Sequence, residues 1–344
     1  MKKILPITIP PVIGYLHHAY PLSILANEET YLPWFHSNYI QLYCPPNFQN
    51  PSRNRTMKFN FYRRPDQRVS YSPYLKVQLL NRDLIFKSPT DILPFIVACI
   101  DKGYYIQPTV DEYFLPDSAA YQKRPLVHET LIYGYDNQAF VGMGYNKRGD
   151  YASYRFRFSQ LEQAIVHADL TGHYDPDGLR LFKYDSQARY DFDIHLVREQ
   201  ITDFLHSRNT SHRFRMVANP SDGAYGLATY SCLKSYIESF LYSPFSFDIR
   251  PAHILWEHKK CMVDRLKYME MQGYLKSEDG FSVQYEELAR KTGMLRMMLL
   301  KFKITRSPDL IHRVLSILDD IEEVEPSLLQ DLVKKLKTVC DESR

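Results

Sequence analysis

The alternation of apolar and polar residues over positions 127–158 predicts a β-meander. Residues 129–135 are rich in β-branched and aromatic side chains, and the Asp-Asn-Gln that follows has the composition of a turn. Residues 139–145 give a second apolar run, and residues 151–158 alternate aromatic with polar side chains after a second turn. We therefore expect three short antiparallel strands joined by tight turns.

The pattern ahead of the meander predicts helices interleaved with short strands. Strands are expected at residues 3–9, 77–86 and 104–114, and helices at 17–26, 28–43 and 88–102. Ser159 and Glu162 have the spacing of a capping box, which predicts a helix from there to residue 167. Helices followed by a run of antiparallel strands are typical of an α+β domain, to which we assign residues 1–168.

Residues 169–190 form the expected connector, because Gly, Asp and Pro turns surround a single short strand, GLRLFKY. From residue 191 to residue 344 the periodicity is helical. The predicted helices are 194–207, 225–241, 251–272, 285–292, 294–303, 308–324 and 326–339. Their leucines and mixed charges indicate amphipathic packing in a helical domain, which could dock a partner protein or pair two copies of the chain in a homodimer.

Charge and cysteine content exclude several classes of function. The 344 residues carry a net charge of +3, which is too weak to argue for nucleic-acid binding. The five cysteines are odd in number and contain no CxxC pair, so we expect neither a zinc knuckle nor a disulfide framework, and a reducing cytoplasm fits best. Prolines break the apolar N-terminus, so we expect no signal peptide. We also expect no membrane span, because no apolar run reaches 18 residues.

The sequence also argues against a cofactor. Dinucleotide-binding, Walker and GxSxG motifs are absent, so nucleotide binding and α/β-hydrolase chemistry have no support. His17, His18, His36, His128 and Glu129 could converge on a metal, but adjacent histidines diverge and no HExxH is present. We expect neither a metal nor another cofactor.

The candidate chemistry lies at the ends of the first predicted hairpin. His128 opens its first strand, and Asn146 ends its second strand 18 residues later. The two ends of an antiparallel hairpin are neighbours, so these side chains are expected to meet. A histidine beside a carboxamide is a general base with its orienting group, which requires a nucleophile.

The motif His-x-x-x-(aliphatic)-x-Gly-Tyr-Asp, from His128 to Asp136, resembles the histidine half of papain-like cysteine enzymes. It is most similar to the butirosin biosynthesis protein H family and its C39-peptidase-like relatives. The resemblance implies a papain-like N-terminal domain and an acyltransferase of natural-product biosynthesis. Its implied partners are an acyl or peptidyl carrier protein, which supplies a thioester, and an amine, which accepts the acyl group.

One departure from that family concerns the nucleophile, which the resemblance places at the start of the first long helix. The matching stretch contains His17 and His18 but no cysteine. One explanation is that His17 or His18 serves as a base or binding group in direct acyl transfer. A second is a pseudoenzyme or adaptor that binds a carrier protein or peptide without catalysis. A third is that another residue supplies the nucleophile, and Cys44 is the nearest cysteine.

An arginine-rich stretch offers a surface for an acidic carrier protein, although most such runs are simply solvated. Its members are Arg53, Arg55, Arg63, Arg64 and Arg68.

Overall fold

The structure, a computed structural model, describes residues 2–46, 57–62, 72–88, 91–171, 178–242 and 247–342. The chain forms two compact units. The first comprises residues 1–31 and 67–190, and the second comprises residues 32–66 and 191–344. The sequence-based division placed residues 32–66 in the first domain, whereas their backbone contacts group them with the helical unit. All five members of the arginine-rich stretch lie outside the described residues.

The first unit is an antiparallel sheet with helices. Its strands are β1 (Lys3–Ile4), β4 (Leu75–Asn81), β5 (Tyr105–Asp111), β6 (Val127–Glu129), β7 (Leu131–Tyr135), β8 (Ala139–Tyr145), β9 (Tyr151–Arg157) and β10 (Gly178–Tyr184). Its helices are α1 (Leu16–Leu25), α3 (Arg82–Ile85), α4 (Ile92–Asp101) and α5 (Phe158–Val166). The strand order is β4-β10-β5-β7-β8-β9, with β1 also paired to β7 and β6 to β5.

The meander predicted from the alternation is confirmed as β7, β8 and β9. Phe140 lies opposite both Tyr135 and Phe156, so apolar residues of the three strands meet in register. At Gly134 the edge strand β1 approaches closely. A Cβ built there would lie 2.5 Å from Ile4 Cδ1 and 2.9 Å from the Lys3 carbonyl oxygen, so only glycine fits.

Strand β10 was expected inside a connector, but it lies within the sheet. It pairs with β4 on one side, where Leu181 is opposite Gln78, and with β5 on the other, where Leu181 is opposite Ile106. Its residues Gly178–Phe182 are buried, which explains the apolar character of GLRLFKY. Composition cannot reveal this position, because β4 and β5, the two strands that pair with β10, lie far ahead of it in the sequence.

The second unit is mostly helical. Its helices are α2 (Leu32–Ser37), α6 (Ile194–Leu205), α7 (Thr229–Glu238), α8 (Arg250–Met271), α9 (Phe281–Thr305) and α10 (Pro308–Glu342). A small sheet accompanies them, with strand order β11-β2-β3 and bounds β2 (Leu42–Cys44), β3 (Asn60–Phe61) and β11 (Ala224–Tyr225). The helices α8 and α9 pack together, and α10 packs on α6, α7 and α9. The predicted helical C-terminal region is therefore confirmed.

The expected helix over residues 28–43 is wrong. Only α2 is α-helical there, and the chain reverses at Tyr39, whose φ is 55°, before it extends into β2. The fully buried Arg265 stabilises this early end, because its guanidinium donates to the carbonyl oxygens of His36 at 2.7 Å and Tyr39 at 3.2 Å. These carbonyls would otherwise lack partners at a helix end.

The sequence predicts four helices after residue 284, but the structure has two long helices there, α9 and α10. Gly293 lies inside α9, where a Cβ would be 3.2 Å from the Trp256 indole nitrogen, so close packing explains this glycine better than a break. Pro326 lies inside α10. Its neighbour Glu325 is fully buried and bonded to Tyr285 and Lys259, and these tertiary contacts outweigh the propensity of proline to end a helix.

Among the described residues, every helix is too short or too polar to cross a membrane.

Candidate functional site

The best candidate site in the first unit is built around His128 on β6. His128 lies opposite Val110 in the antiparallel pairing of β6 with β5. Glu112 follows two residues after Val110, so it is the diagonal neighbour of His128. The Nδ1 atom of His128 is 3.3 Å from Glu112 Oε1. Because a carboxylate only accepts, this contact favours the tautomer of the neutral ring that carries its hydrogen on Nδ1 and has Nε2 as its basic nitrogen.

Glu112 is itself held in place by the loop that joins β5 to β6. Its Oε2 accepts a hydrogen bond of 2.5 Å from the Ser118 hydroxyl, and its backbone nitrogen donates to the Leu126 carbonyl at 2.8 Å. Asp111 Oδ1 accepts from the backbone nitrogens of Tyr113 at 3.0 Å and Leu126 at 2.9 Å. These hydrogen bonds hold the backbone that carries Glu112 in a defined position. The His128 side chain is 41% exposed, so a substrate can reach it.

Helix α1 approaches the same strand through a buried tyrosine. The Tyr20 hydroxyl donates to the Glu129 carbonyl oxygen at 3.0 Å, and beside it Thr130 and Tyr154 share a hydrogen bond. Burial raises the pKa of Tyr20 well above its usual value of 10.0, and the nearby Tyr154, Tyr151 and Glu129 raise it further. The Tyr20 hydroxyl is therefore a neutral hydrogen-bonding group. The side chain of Glu129 extends toward His128, whose Nε2 is 3.9 Å from Glu129 Oε2.

The two histidines proposed to replace the thiol are the second and third residues of α1. His17 is half-buried and stacks on Tyr15, with ring centroids 5.5 Å apart, whereas His18 is almost fully buried. The Tyr145 hydroxyl at the end of β8 donates to the Ile13 carbonyl just ahead of α1. This bond and that of Tyr20 place the first half of α1 beside β6 and the end of β8.

Asn146 is engaged within its own turn. Its Oδ1 accepts from the backbone nitrogens of Arg148 at 2.9 Å and Asp150 at 3.0 Å, and its Nδ2 is 3.4 Å from Asp150 Oδ2. The turn is completed by Gly149, whose φ is 84°. Asn146 therefore stabilises the β8–β9 turn, and the group positioned to orient His128 is Glu112.

The residues that the sequence did not single out are Glu112, Ser118 and Tyr154. Glu112 stood within the predicted strand 104–114, so its acidic character was visible. Its pairing with His128 depends on the register across a loop of fifteen residues, Glu112 to Leu126, which sequence patterns do not fix.

Neither a cysteine thiol nor a metal centre is evident near this pair in the described part of the chain. All five cysteines are reduced; Cys44 lies in β2 and Cys99 in α4, while Cys232, Cys261 and Cys340 belong to helices of the second unit. Within the described ranges, no cluster of three or more His, Cys, Asp or Glu side chains could hold a metal ion.

The fold and the site define a protein with an α+β unit that carries a histidine held by a carboxylate. Compared with protein-family models and with curated proteins, the chain has no match. The chemistry that this arrangement can perform is proton abstraction by Nε2, followed by donation of the same proton.

Proposed function

We propose that this protein transfers an acyl group from a carrier-protein thioester to an amine, with His128 as general base. The first unit is then a papain-like domain of the butirosin H type, and the reaction belongs to natural-product biosynthesis in the cytoplasm. The observation that carries the proposal is the Nδ1–Glu112 contact of 3.3 Å, which favours Nε2 as the proton acceptor.

The proposed reaction proceeds by direct attack. The amine nitrogen bonds to the thioester carbonyl carbon while His128 removes its proton, and collapse of the tetrahedral intermediate breaks the carbon–sulfur bond. The proton passes from His128 to the departing thiolate, so the products are an amide and a carrier thiol. The start of α1 would stabilise the oxyanion, because the first backbone N–H groups of a helix and its dipole favour negative charge.

The test follows amide formation by the full chain with acyl-carrier thioesters and amines. His128→Ala should lower the rate by about 10²–10⁴-fold, the usual contribution of a general base. Glu112→Gln removes the charge that holds the ring and should lower the rate by up to ~10⁴-fold, the loss seen when a triad carboxylate becomes an amide. His167→Ala, an exposed histidine of the same unit, is the matched control and should leave the rate unchanged.

Intact mass separates direct attack from a covalent route. A stable acyl adduct on any cysteine would contradict direct attack, and full activity of the His128→Ala protein would contradict the site.

A second candidate function is binding of a carrier protein or peptide without catalysis. The observation that favours it is the sequence of α1, LHHAYPLSIL, which contains no cysteine. Under this reading the acyl-carrier protein binds in titration calorimetry, while its thioester remains intact in the presence of amines.

A further inference from the structure

A pocket of about 340 Å³ in the second unit has a mainly basic lining. It lies between α6, the segment that follows α6, and the last turns of α10. Its charged lining residues are Arg198, Glu199, Arg208, Arg213 and Lys337. Four cations around so small a space give the pocket a positive potential, which favours an anion inside it.

Carboxylates hold two of the four cations. The buried Asp203 accepts from Arg213 Nε at 3.0 Å and lies 3.9 Å from Arg208 Nη1. Glu199 accepts from Arg213 Nη1 at 2.5 Å. Thr210 also donates to Asp203 at 3.3 Å, which helps to hold this carboxylate in position. Two positive charges are thereby neutralised and held in position.

The remaining two cations are Arg198, which is half-buried, and Lys337, which is exposed. Neither has a carboxylate partner among the described residues. Thr202 carries no charge, and its hydroxyl donates to the Arg198 carbonyl oxygen at 2.7 Å, so it does not neutralise either cation. The pocket therefore keeps an excess of two positive charges, and Arg198 and Lys337 come from different helices that converge on it.

We propose that this pocket binds the phosphoryl group of a small anion, with Arg198 and Lys337 as the ligand-binding residues. A phosphoryl group matches the excess charge, and a guanidinium fork can bond two of its oxygens at once. The volume suits a small phosphorylated molecule better than a polymer. This site is separate from the one around His128, and the inference does not depend on the proposed acyl transfer.

The experiment titrates the full chain with two probes, inorganic pyrophosphate and ribose 5-phosphate, by calorimetry at low salt. Both Arg198→Gln and Lys337→Gln should weaken binding by roughly 10- to 100-fold, the loss expected for one hydrogen bond to a charged group. The control is Lys303→Gln, because Lys303 is an exposed lysine of α9 outside the pocket lining. It removes the same charge and should leave the affinity unchanged.

Preference for one probe identifies the source of the phosphoryl group, either inorganic phosphate or an organic phosphoester. The proposal is overturned if neither probe binds. It is equally overturned if Lys303→Gln weakens binding as much as the pocket variants, since binding would then reflect net charge alone.

Discussion

Two buried histidines make the second unit sensitive to acid. Burial, with a further contribution from Arg265, lowers the pKa of His36 from 6.5 to about 3. Burial also lowers the pKa of His258 well below 6.5, and the charge of Lys259 acts in the same direction. The His258 ring stacks on Phe204 with centroids 4.8 Å apart, and its Nε2 is 2.8 Å from the Ile40 carbonyl oxygen. This hydrogen bond raises the pKa, but the cost of burying a charged ring outweighs it.

The direction of the pH effect follows from proton uptake. The unfolded chain binds a proton at each histidine below pH 6.5, while folded His36 stays neutral until about pH 3. The stabilisation is therefore complete above pH 6.5 and is lost as the pH falls toward 3. Each unit of pH costs up to about 1.4 kcal/mol per group, and the unfolded histidine is already half protonated at pH 6.5. Lowering the pH from 6.5 to about 4.5 should therefore cost about 2–3 kcal/mol through His36 alone. That is a large part of a typical folding free energy of about 5–15 kcal/mol.

The assay is urea unfolding of the full chain followed by far-UV circular dichroism at near-neutral pH and at about pH 4.5. The quantity compared is the loss of unfolding free energy between the two pH values, measured within each variant. This comparison is needed because a substitution also changes the unfolding free energy at near-neutral pH. His36→Gln should reduce this loss by about 2–3 kcal/mol. The exposed His312→Gln should leave it as in the parent protein. If both variants retain the full acid sensitivity, His36 is not the titrating group and the reasoning fails.

Two further predictions concern the packing of the second unit. Glu325→Ala should destabilise the protein by about 3–5 kcal/mol in urea unfolding, because it leaves the fully buried Lys259 without its carboxylate. The double variant Lys259→Met with Glu325→Leu should recover most of that loss, and failure to recover would indicate that the tyrosine bonds to Glu325 matter more. Gly226→Ala should lower the melting temperature far more than Gly273→Ala, although both glycines have positive φ. Only at Gly226 would the new Cβ meet backbone, 2.1 Å from the Phe204 carbonyl oxygen, so equal losses would contradict the overlap argument.

The candidate site was predictable in part. The sequence singled out His128, and it predicted that a helix start with His17 and His18 belongs to the same domain. It could not identify Glu112 as the partner of His128, because that contact depends on β5 and β6 pairing in one particular register across a long loop. Hairpin geometry predicted that Asn146 orients His128, whereas the side-chain hydrogen bonds of Asn146 lie within the β8–β9 turn.

The sequence by itself determined the elements in which local pattern and burial agree. The strands of the meander and helices such as α6 and α8 appear close to their predicted positions, because alternation and helical periodicity record which side of an element is apolar. The tertiary structure decided whatever depends on partners distant in the chain. It ended α2 early through the guanidinium of Arg265, placed β10 inside the sheet, and continued α10 through Pro326. Hydrogen bonds and packing from remote residues outweigh local propensity at such points, and a linear pattern contains no record of them.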